Sequence, residues 1–199
     1  MMVKIKSVSW LNLVLVCLLT SCSTSKIAQH PNSWAKPALI HQNTCADISG
    51  TYENKAIASP SNKYVELGHR YPDFLSYFIA RDSLNGYKHE WVTHVKFSGV
   101  QGKSLTLVFY KKDKIINSKS FTINHDYTCT AKGIVFESSH NEVYGIYGGF
   151  SHQVTRLIFI KAEDGSLLLT KDFSEKGLAL VVPVSNEEVS LYKYKKTNY

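Results

Sequence analysis

The chain has 199 residues, of which 44% are hydrophobic and 20% are charged, and its formal net charge is +7. This length fits one domain with enough chain to bury a real core. The positive charge is mild and is not concentrated in one arm, which argues against a nucleic-acid-binding protein.

The N-terminus begins with the basic residues Lys4 and Lys6 and continues into an apolar run that ends in small residues. Its strongest apolar part, residues 13–19, is shorter than the about 20 residues that a membrane-spanning helix needs. This arrangement predicts a secretory signal over residues 1–21. An ordinary signal peptide and a signal-anchor helix are the alternatives to the lipid-bearing form described next.

The end of this run, Leu19-Thr20-Ser21-Cys22, resembles the lipobox of bacterial lipoproteins. The resemblance implies cleavage before Cys22 and attachment of a diacylglyceryl group to its thiol. Each acyl CH₂ contributes about 0.8 kcal/mol to membrane binding, so two or three chains would hold the protein there. Ser23 follows the cysteine, and by the same resemblance this favours the outer membrane, with the protein facing the periplasm.

The predicted signal and lipid attachment give the four cysteines different roles. Cys17 would leave with the signal and Cys22 would carry lipid, while Cys45 and Cys129 would remain in an oxidising compartment. We predict a disulfide between these two, closing a loop of about 85 residues that contributes at most about 4.5 kcal/mol. Two buried free thiols are the alternative. Neither cysteine belongs to a CxxC pair, and no metal site is predicted.

Residues 22–44 predict a lipidated flexible tether. They lack a clean hydrophobic period and contain Pro31 and Pro37. As a flexible coil the segment would span about 25 Å. Docking of Trp34 or Ile40 on the domain is left open.

Residues 45–199 predict a single, mainly β domain with one helical pattern, over about residues 72–80. Pro72 and Asp73 suit a first helical turn. The apolar face of this helix consists of Phe74, Leu75, Phe78 and Ile79. We expect the face to pack on the core, and an exposed partner-binding helix is the alternative.

The rest of the domain alternates between short strands and turns. Asp164-Gly165 separates two apolar runs and is the strongest hairpin signal, and Lys112-Asp113 lies in a charged turn. Glu187-Glu188 predicts a solvated turn between residues 177–184 and the last strand. Eight to ten strands joined in this way predict an antiparallel β-barrel or β-sandwich.

One segment, VYGIYGGF at residues 143–150, places three glycines among aromatic residues. This composition predicts a bulge or a sharp bend near a barrel rim, where a ligand can approach the backbone. The candidate rim residues are Tyr144, Gly145, Tyr147, Gly148, Gly149 and Phe150. A tight crossing of two packed strands is the alternative.

The domain has two short motifs that resemble the bacterial lipocalin pattern. Gly50-Thr51-Tyr52 is similar to the lipocalin Gly-x-Trp, and Asp126-Tyr127 is similar to the Asp-Tyr of the second motif. The resemblance implies a barrel-like fold. Tyrosine replaces the tryptophan, His125 stands where threonine is expected, and strands replace the C-terminal helix, so no ligand residues are transferred.

No catalytic motif occurs: the chain has no nucleophile elbow, HExxH, P-loop or GxGxxG sequence. His89 and His94 are separated by an odd number of residues and should point to opposite faces of a strand. His125 and Asp126 are adjacent and should also face apart. We predict no catalytic residues, no metal and no cofactor, and the sequence does not favour an enzyme.

Together these features predict a lipid-anchored envelope lipoprotein that is a non-catalytic binding or assembly module. Its expected partners are the bilayer, through the acyl chains on Cys22, and another envelope protein, peptidoglycan or a small apolar ligand. A lipocalin-like carrier and an envelope hydrolase are the alternatives.

Overall fold

The computed structural model describes residues 30–39, 45–60, 78, 91–99, 103–144, 148–179 and 182–198. The predicted signal, Cys22 and the predicted helix apart from Phe78 lie outside these ranges. Phe78 itself is helical and buried.

Ten strands form two antiparallel sheets in the described part of the chain. The first sheet has the order β1-β3-β4-β5 and contains β1 (Gly50–Glu53), β3 (His94–Ser98), β4 (Ser104–Lys111) and β5 (Lys114–Thr122). The second has the order β2-β10-β9-β8-β7-β6 and contains β2 (Ile57–Ala58), β6 (Thr128–Thr130), β7 (Gly133–Tyr144), β8 (Gly149–Lys161), β9 (Leu167–Ala179) and β10 (Val182–Tyr194).

Strand β4 shows why this sequence forms a half-buried strand. Leu105, Leu107 and Phe109 are buried, and the residues between them are more exposed. Because successive side chains on a strand point to opposite faces, this period of two directs the three apolar side chains to one side of the sheet. Each of them can then pack on the core without burying its polar neighbours.

Two predicted turns join strands as expected. Gly165 has a φ of 78°, a left-handed conformation that favours glycine, and the turn is closed by a bond from its N–H to the carbonyl of Ala162. This turn joins β8 to β9. Lys112 and Asp113 form the turn between β4 and β5.

The core between the sheets is largely aromatic. The ring of Phe78 lies 5.4 Å from Phe121, 5.1 Å from Phe136 and 5.8 Å from Phe159, measured between centroids. Phe97 of the first sheet meets Phe159 of the second at 6.1 Å. These separations lie within the range in which aromatic rings attract one another beyond simple burial.

The architecture is a β-sandwich and not a closed barrel. On one side the chain after β10 reaches the first sheet, where the N–H of Glu53 donates to the carbonyl of Lys195 and the N–H of Thr197 donates to that of Thr51. On the other side, β5 and β6 are the outer strands of separate sheets. Of the two predicted architectures the sandwich is confirmed and the barrel, with the lipocalin-like closure, is wrong.

Part of the predicted tether lies against the domain. Pro37 forms a bridge with Ala162, and the N–H of Ala38 donates to the carbonyl of Lys161 at 2.9 Å. Trp34 is half-buried. The chain therefore meets the domain beside the turn between β8 and β9, which we call the base of the second sheet.

Two strand boundaries differ from the prediction. Glu187 and Glu188 are not a turn but paired residues inside β10, opposite Ser174 and Phe173 of β9. Strand β7 continues to Tyr144, well beyond the apolar residues that indicated it. In both places cross-strand pairing extends a strand through residues that lack the alternating pattern.

Candidate functional site

The second sheet is much longer than the core that it covers. Strands β8, β9 and β10 have 13 residues each, about 40 Å, whereas β3 has five and β4 has eight. On the face towards the core, the buried apolar residues of β7 and β8 end at Phe136 and Leu157. Beyond them the sheet projects past the sandwich.

We call this projecting part the distal sheet. It consists of residues 138–144 of β7, 149–155 of β8, 173–179 of β9 and 182–188 of β10. Apart from Ser151, every side chain described in it is exposed or half-buried. Both faces of the distal sheet therefore meet solvent, which is unusual for a sheet and makes this region the candidate site.

The strand register aligns apolar residues at the far end of the distal sheet. Val143 pairs with Phe150, Phe150 with Leu178, and Leu178 with Pro183. Directly paired residues of antiparallel strands point to the same face. Phe150 is seven residues from the buried Leu157 on the same strand, an odd number, so this row lies on the face away from the core. Val182 and Val184 lie on the opposite face, by the same two-residue alternation.

These side chains are strongly exposed. The described residues include nine exposed large hydrophobic side chains, and five of them are at this end. They form what we call the apolar tip: Val143 (77% exposed), Phe150 (56%), Leu178 (36%), Val182 (61%) and Val184 (40%). Scattered apolar residues on a surface need no explanation, but a group of this kind marks an interaction site.

A polar collar follows immediately behind the apolar tip. The side-chain amide of Gln153 donates to the carboxylates of Glu142, at 2.9 Å, and Glu175, at 3.1 Å. On the other face, His152 Nδ1 lies 2.7 Å from Asn141 Oδ1. These cross-strand contacts hold the exposed strands together where no second sheet supports them.

The distal sheet is acidic although the whole chain is basic. It contains four glutamates and one lysine, whereas the chain has a formal net charge of +7. The charged residues of the distal sheet are Glu142, Glu175, Glu187, Glu188 and Lys176. The site thus combines the apolar tip with a net negative charge on the distal sheet.

Gly177 is a geometric requirement of this sheet. A Cβ atom at residue 177 would overlap the carbonyl oxygen of Phe150 and approach Cα of Ser151 to 2.7 Å. The β8 backbone therefore passes so close to β9 that only glycine fits, directly behind the apolar tip.

The predicted rim residues are only partly placed by the structure. Gly148 lies in the turn before β8, and Gly149 and Phe150 begin β8 at the apolar tip. Tyr144 ends β7 and its side chain is not described, and Gly145 and Tyr147 lie outside the described residues. Since the second sheet is not part of a closed barrel, the described residues of this segment lie at the end of a sheet and not at a barrel rim.

The prediction missed the second half of the tip. Leu178, Val182 and Val184 belong to GLALVVPV, residues 177–184, a segment with no charged or hydrogen-bonding side chain. That composition next to two glutamates was the available signal. The sequence predicts only that this segment is a strand, because nothing local distinguishes an apolar strand in a core from one at an exposed end.

The predicted cysteine pair is together in the structure. Cys45 and Cys129 are at disulfide distance, with their Cα atoms 5.1 Å apart and 84 residues apart in sequence. Cys45 precedes β1 of the first sheet, and Cys129 is in β6 of the second. The bond would therefore connect the two layers of the sandwich.

His94 and His125 have structural surroundings, and His89 lies outside the described residues, so the predicted orientation of His89 relative to His94 stays a prediction. His94 is buried, its ring stacks on Tyr110 at 4.8 Å, and burial lowers its pKa. The prediction that His125 and Asp126 face apart is wrong. His125 Nδ1 lies 2.9 Å from Asp126 Oδ1, because the two residues lie in a turn and not in a strand.

Asp126 closes that turn. Its carboxylate accepts the N–H of Thr122 at 2.7 Å, and this bond, followed by the one with His125, lowers the pKa of Asp126. Within the described ranges, no group of three His, Cys, Asp or Glu side chains is placed to bind a metal ion.

No family model, no curated protein and no solved structure matches this chain. In the part of the chain that the structure describes, no helix has the length and apolar character needed to span a membrane.

Proposed function

We propose that this chain is a lipid-anchored cell-envelope lipoprotein, held to the membrane through acyl chains on Cys22, whose domain is a non-catalytic binding or assembly module. The apolar tip of the distal sheet is its binding surface. The periplasmic side of the outer membrane is the proposed location.

The observation that supports a binding module is the exposure of the apolar tip. Five large apolar side chains in water are unfavourable by about 25 cal/mol for each Å² that a partner could cover. Soluble monomers rarely gather such residues at one place unless the surface meets a partner. The cross-strand bonds of the polar collar hold the surface in shape before any partner arrives.

The position of the anchor supports the same proposal. Residues 37 and 38 join the domain at the base of the second sheet, and the apolar tip lies at the other end of β8, about 40 Å away. An anchor at one end leaves the opposite end free to bind.

Photo-crosslinking in cells tests the binding surface. A photoreactive phenylalanine analogue in place of Phe150 should produce a defined crosslinked product with one envelope component. The same analogue in place of Ile115, which is 58% exposed in the first sheet, is the matched control and should not. Identical product patterns at the two positions would contradict a specific surface at the tip.

Labelling with radioactive palmitate tests the anchor. The original chain should incorporate label and a Cys22→Ser variant should not, with the variant also changing its processing and location. Equal labelling, or equal processing and location, would remove the proposed lipid attachment.

The carrier and hydrolase alternatives gain no support from a particular site. A cavity of about 160 Å³ lies beside Cys45 and is lined also by Ser49, Leu105 and Tyr127. Pockets for small organic ligands usually enclose about 300–1,000 Å³, so this cavity is small for a carrier. The aromatic rings between the sheets fill the place that a carrier would keep hollow.

A further inference from the structure

We propose that the apolar tip inserts into the interfacial region of a lipid bilayer and forms a second membrane contact beside the acyl chains. This inference deepens the proposed function and rests on it, since the lipid on Cys22 keeps a bilayer within reach. The occupant of the binding surface is thus the acyl boundary of the membrane and not a flat protein surface.

The distribution of apolar residues over both faces favours a bilayer. Val143, Phe150 and Leu178 are exposed on one face, and Val182 and Val184 on the other. A sheet that docks on a protein surface would present one apolar face and keep the other polar. The apolar tip is apolar on both faces, and a bilayer can surround both of them.

The position of the polar collar sets a shallow depth. His152 and Lys176 form the row next to Phe150 and Leu178, two residues further along the strands, which corresponds to about 7 Å. Interfacial elements bury their apolar side by about 5–10 Å. The apolar tip therefore matches the interface and could not cross the hydrocarbon core.

The backbone at the tip is suited to a medium that offers few hydrogen bonds. The inner strands β8 and β9 stay paired with each other and with their outer neighbours as far as Gly149 and Ala179. Strand β10 is the outer strand at the tip, because β2 pairs only with its residues 192 and 193, and Pro183 there has no N–H to leave unpaired. Most backbone groups are thus satisfied before contact with lipid.

The chain outside the domain is long enough for this contact. Cys22 and His30, the first described residue, are separated by eight residues, which can extend to about 27 Å. This reach keeps the base of the second sheet close to the membrane, and the apolar tip lies about 40 Å from the base along the sheet. With the lipid in a membrane, the sheet can lie down or tilt until its tip touches the same surface.

The charge of the polar collar indicates which lipid the apolar tip prefers. Glu142, Glu175 and Lys176 lie just behind the tip, where two glutamates and one lysine leave a net negative charge, and Glu187 and Glu188 lie farther along β10. Charges near an anionic surface interact with it within about a Debye length, about 8 Å at physiological ionic strength. We therefore expect insertion into zwitterionic membranes and weaker insertion into membranes with anionic lipid.

Fluorescence quenching of the lipidated full chain in vesicles tests the inference. A Phe150→Cys variant carries an environment-sensitive nitrobenzoxadiazole (NBD) dye, and an Ile115→Cys variant with the same dye is the control. In phosphatidylcholine–phosphatidylethanolamine vesicles, the dye at residue 150 should be quenched several-fold more by shallow nitroxide lipids than the dye at residue 115. Iodide in the water should quench the two dyes in the reverse order, and adding phosphatidylglycerol should weaken the difference.

Charge-matched variants give a second measurement that does not depend on the dye position. With the dye at Val182→Cys, an added Phe150→Asp change should reduce nitroxide quenching about tenfold, because a carboxylate replaces the ring that inserts into the membrane. An added Ile115→Asp change brings the same charge and should leave quenching unchanged. Equal thermal unfolding of the two variants would show that both are folded.

Failure of this inference can be distinguished from failure of the proposed function. Equal quenching at residues 150 and 115 overturns membrane insertion. If crosslinking at residue 150 then captures one envelope protein, or a second copy of this chain, the binding module stands with that partner. If crosslinking is also the same at both positions, the proposed function falls with it.

Discussion

At the scale of single residues, Tyr52 shows how the core accommodates a hydroxyl. The side chain is fully buried, its ring meets Phe97 edge-on at 5.7 Å, and its hydroxyl donates to the carbonyl of Ile48 at 3.0 Å. Burial raises the pKa of Tyr52, so the hydroxyl stays protonated and can donate this bond. The same residue stands where the lipocalin pattern has tryptophan, whose indole ring has no hydroxyl to donate this bond.

Removing that hydroxyl should destabilise the domain. We expect Tyr52→Phe to lower the free energy of unfolding by about 1–2 kcal/mol, because the carbonyl of Ile48 loses a buried partner. Tyr110→Phe is the control, since Tyr110 is only half-buried, and should have little effect. Urea unfolding measures both, and equal losses would contradict this role of the Tyr52 hydroxyl.

Asp164 in the turn between β8 and β9 should make stability depend on pH. Burial alone raises its pKa, but hydrogen bonds from Lys193, at 2.7 Å, and from Ser166 lower the pKa to about 2. Since the folded value lies below the usual one, the carboxylate stabilises the fold above about pH 4. This contribution is lost as the pH falls towards 2.

An Asp164→Asn variant removes that charge and leaves Asn-Gly, which also suits a tight turn. The side chain is 42% exposed, so we expect a loss of only about 1 kcal/mol at pH 7. Near pH 2 the variant and the original should unfold at nearly the same urea concentration. A difference that stays constant from pH 7 to pH 2 would exclude the carboxylate as its source.

At the scale of elements, the distal sheet depends on strand pairing and not on a core. Gln153 joins β7 to β9 through two carboxylates, and His152 Nδ1 lies 2.7 Å from Asn141 Oδ1 across β7 and β8. Such exposed contacts are individually weak. The distal sheet should therefore open more readily than the sandwich while remaining paired most of the time.

A Gly177→Ala substitution should loosen the distal sheet selectively. The new methyl group would overlap the backbone of β8, and relief requires a shift that we expect to cost about 1–3 kcal/mol. Hydrogen exchange should become faster in residues 149–155 and 173–179, with much smaller changes in β3 and β4. Ser174→Ala on the same strand is the control. Uniformly faster exchange throughout the domain would contradict a local role.

At the scale of the whole molecule, a Cys45–Cys129 disulfide would join the two layers. It would close 84 residues of sequence and connect the segment before β1 with β6 at the edge of the second sheet. A constraint across so long a loop reduces the freedom of the unfolded chain, which is the main source of stabilisation in the chain-entropy description.

Replacing both cysteines by serine should lower the free energy of unfolding by about 2–4 kcal/mol. Urea unfolding with and without reductant measures the effect. Reductant should destabilise the original chain by a similar amount and leave the double variant unchanged. An original chain that is insensitive to reductant would show that these sulfurs are not bonded.

Much of the sandwich could be predicted from the sequence because its signals are local. Leu105, Leu107 and Phe109 alternate on β4, and Asp164-Gly165 requires a tight turn. Each pattern depends on residues that are neighbours in sequence, so strand periodicity and turn chemistry were sufficient. The expectation that Cys45 and Cys129 pair followed from the predicted export.

The apolar tip could not be predicted because tertiary pairing creates it. Residues 139–142 and 185–188 are polar without alternation and become strand only through the hydrogen bonds of their neighbours. Phe150 and Leu178 are 28 residues apart and meet only because the turn between β8 and β9 sets the register. The sequence by itself determined the strand-rich class, the turns and the lipobox-like start. Only the tertiary structure decided which apolar residues are buried, since burial depends on where the second sheet ends.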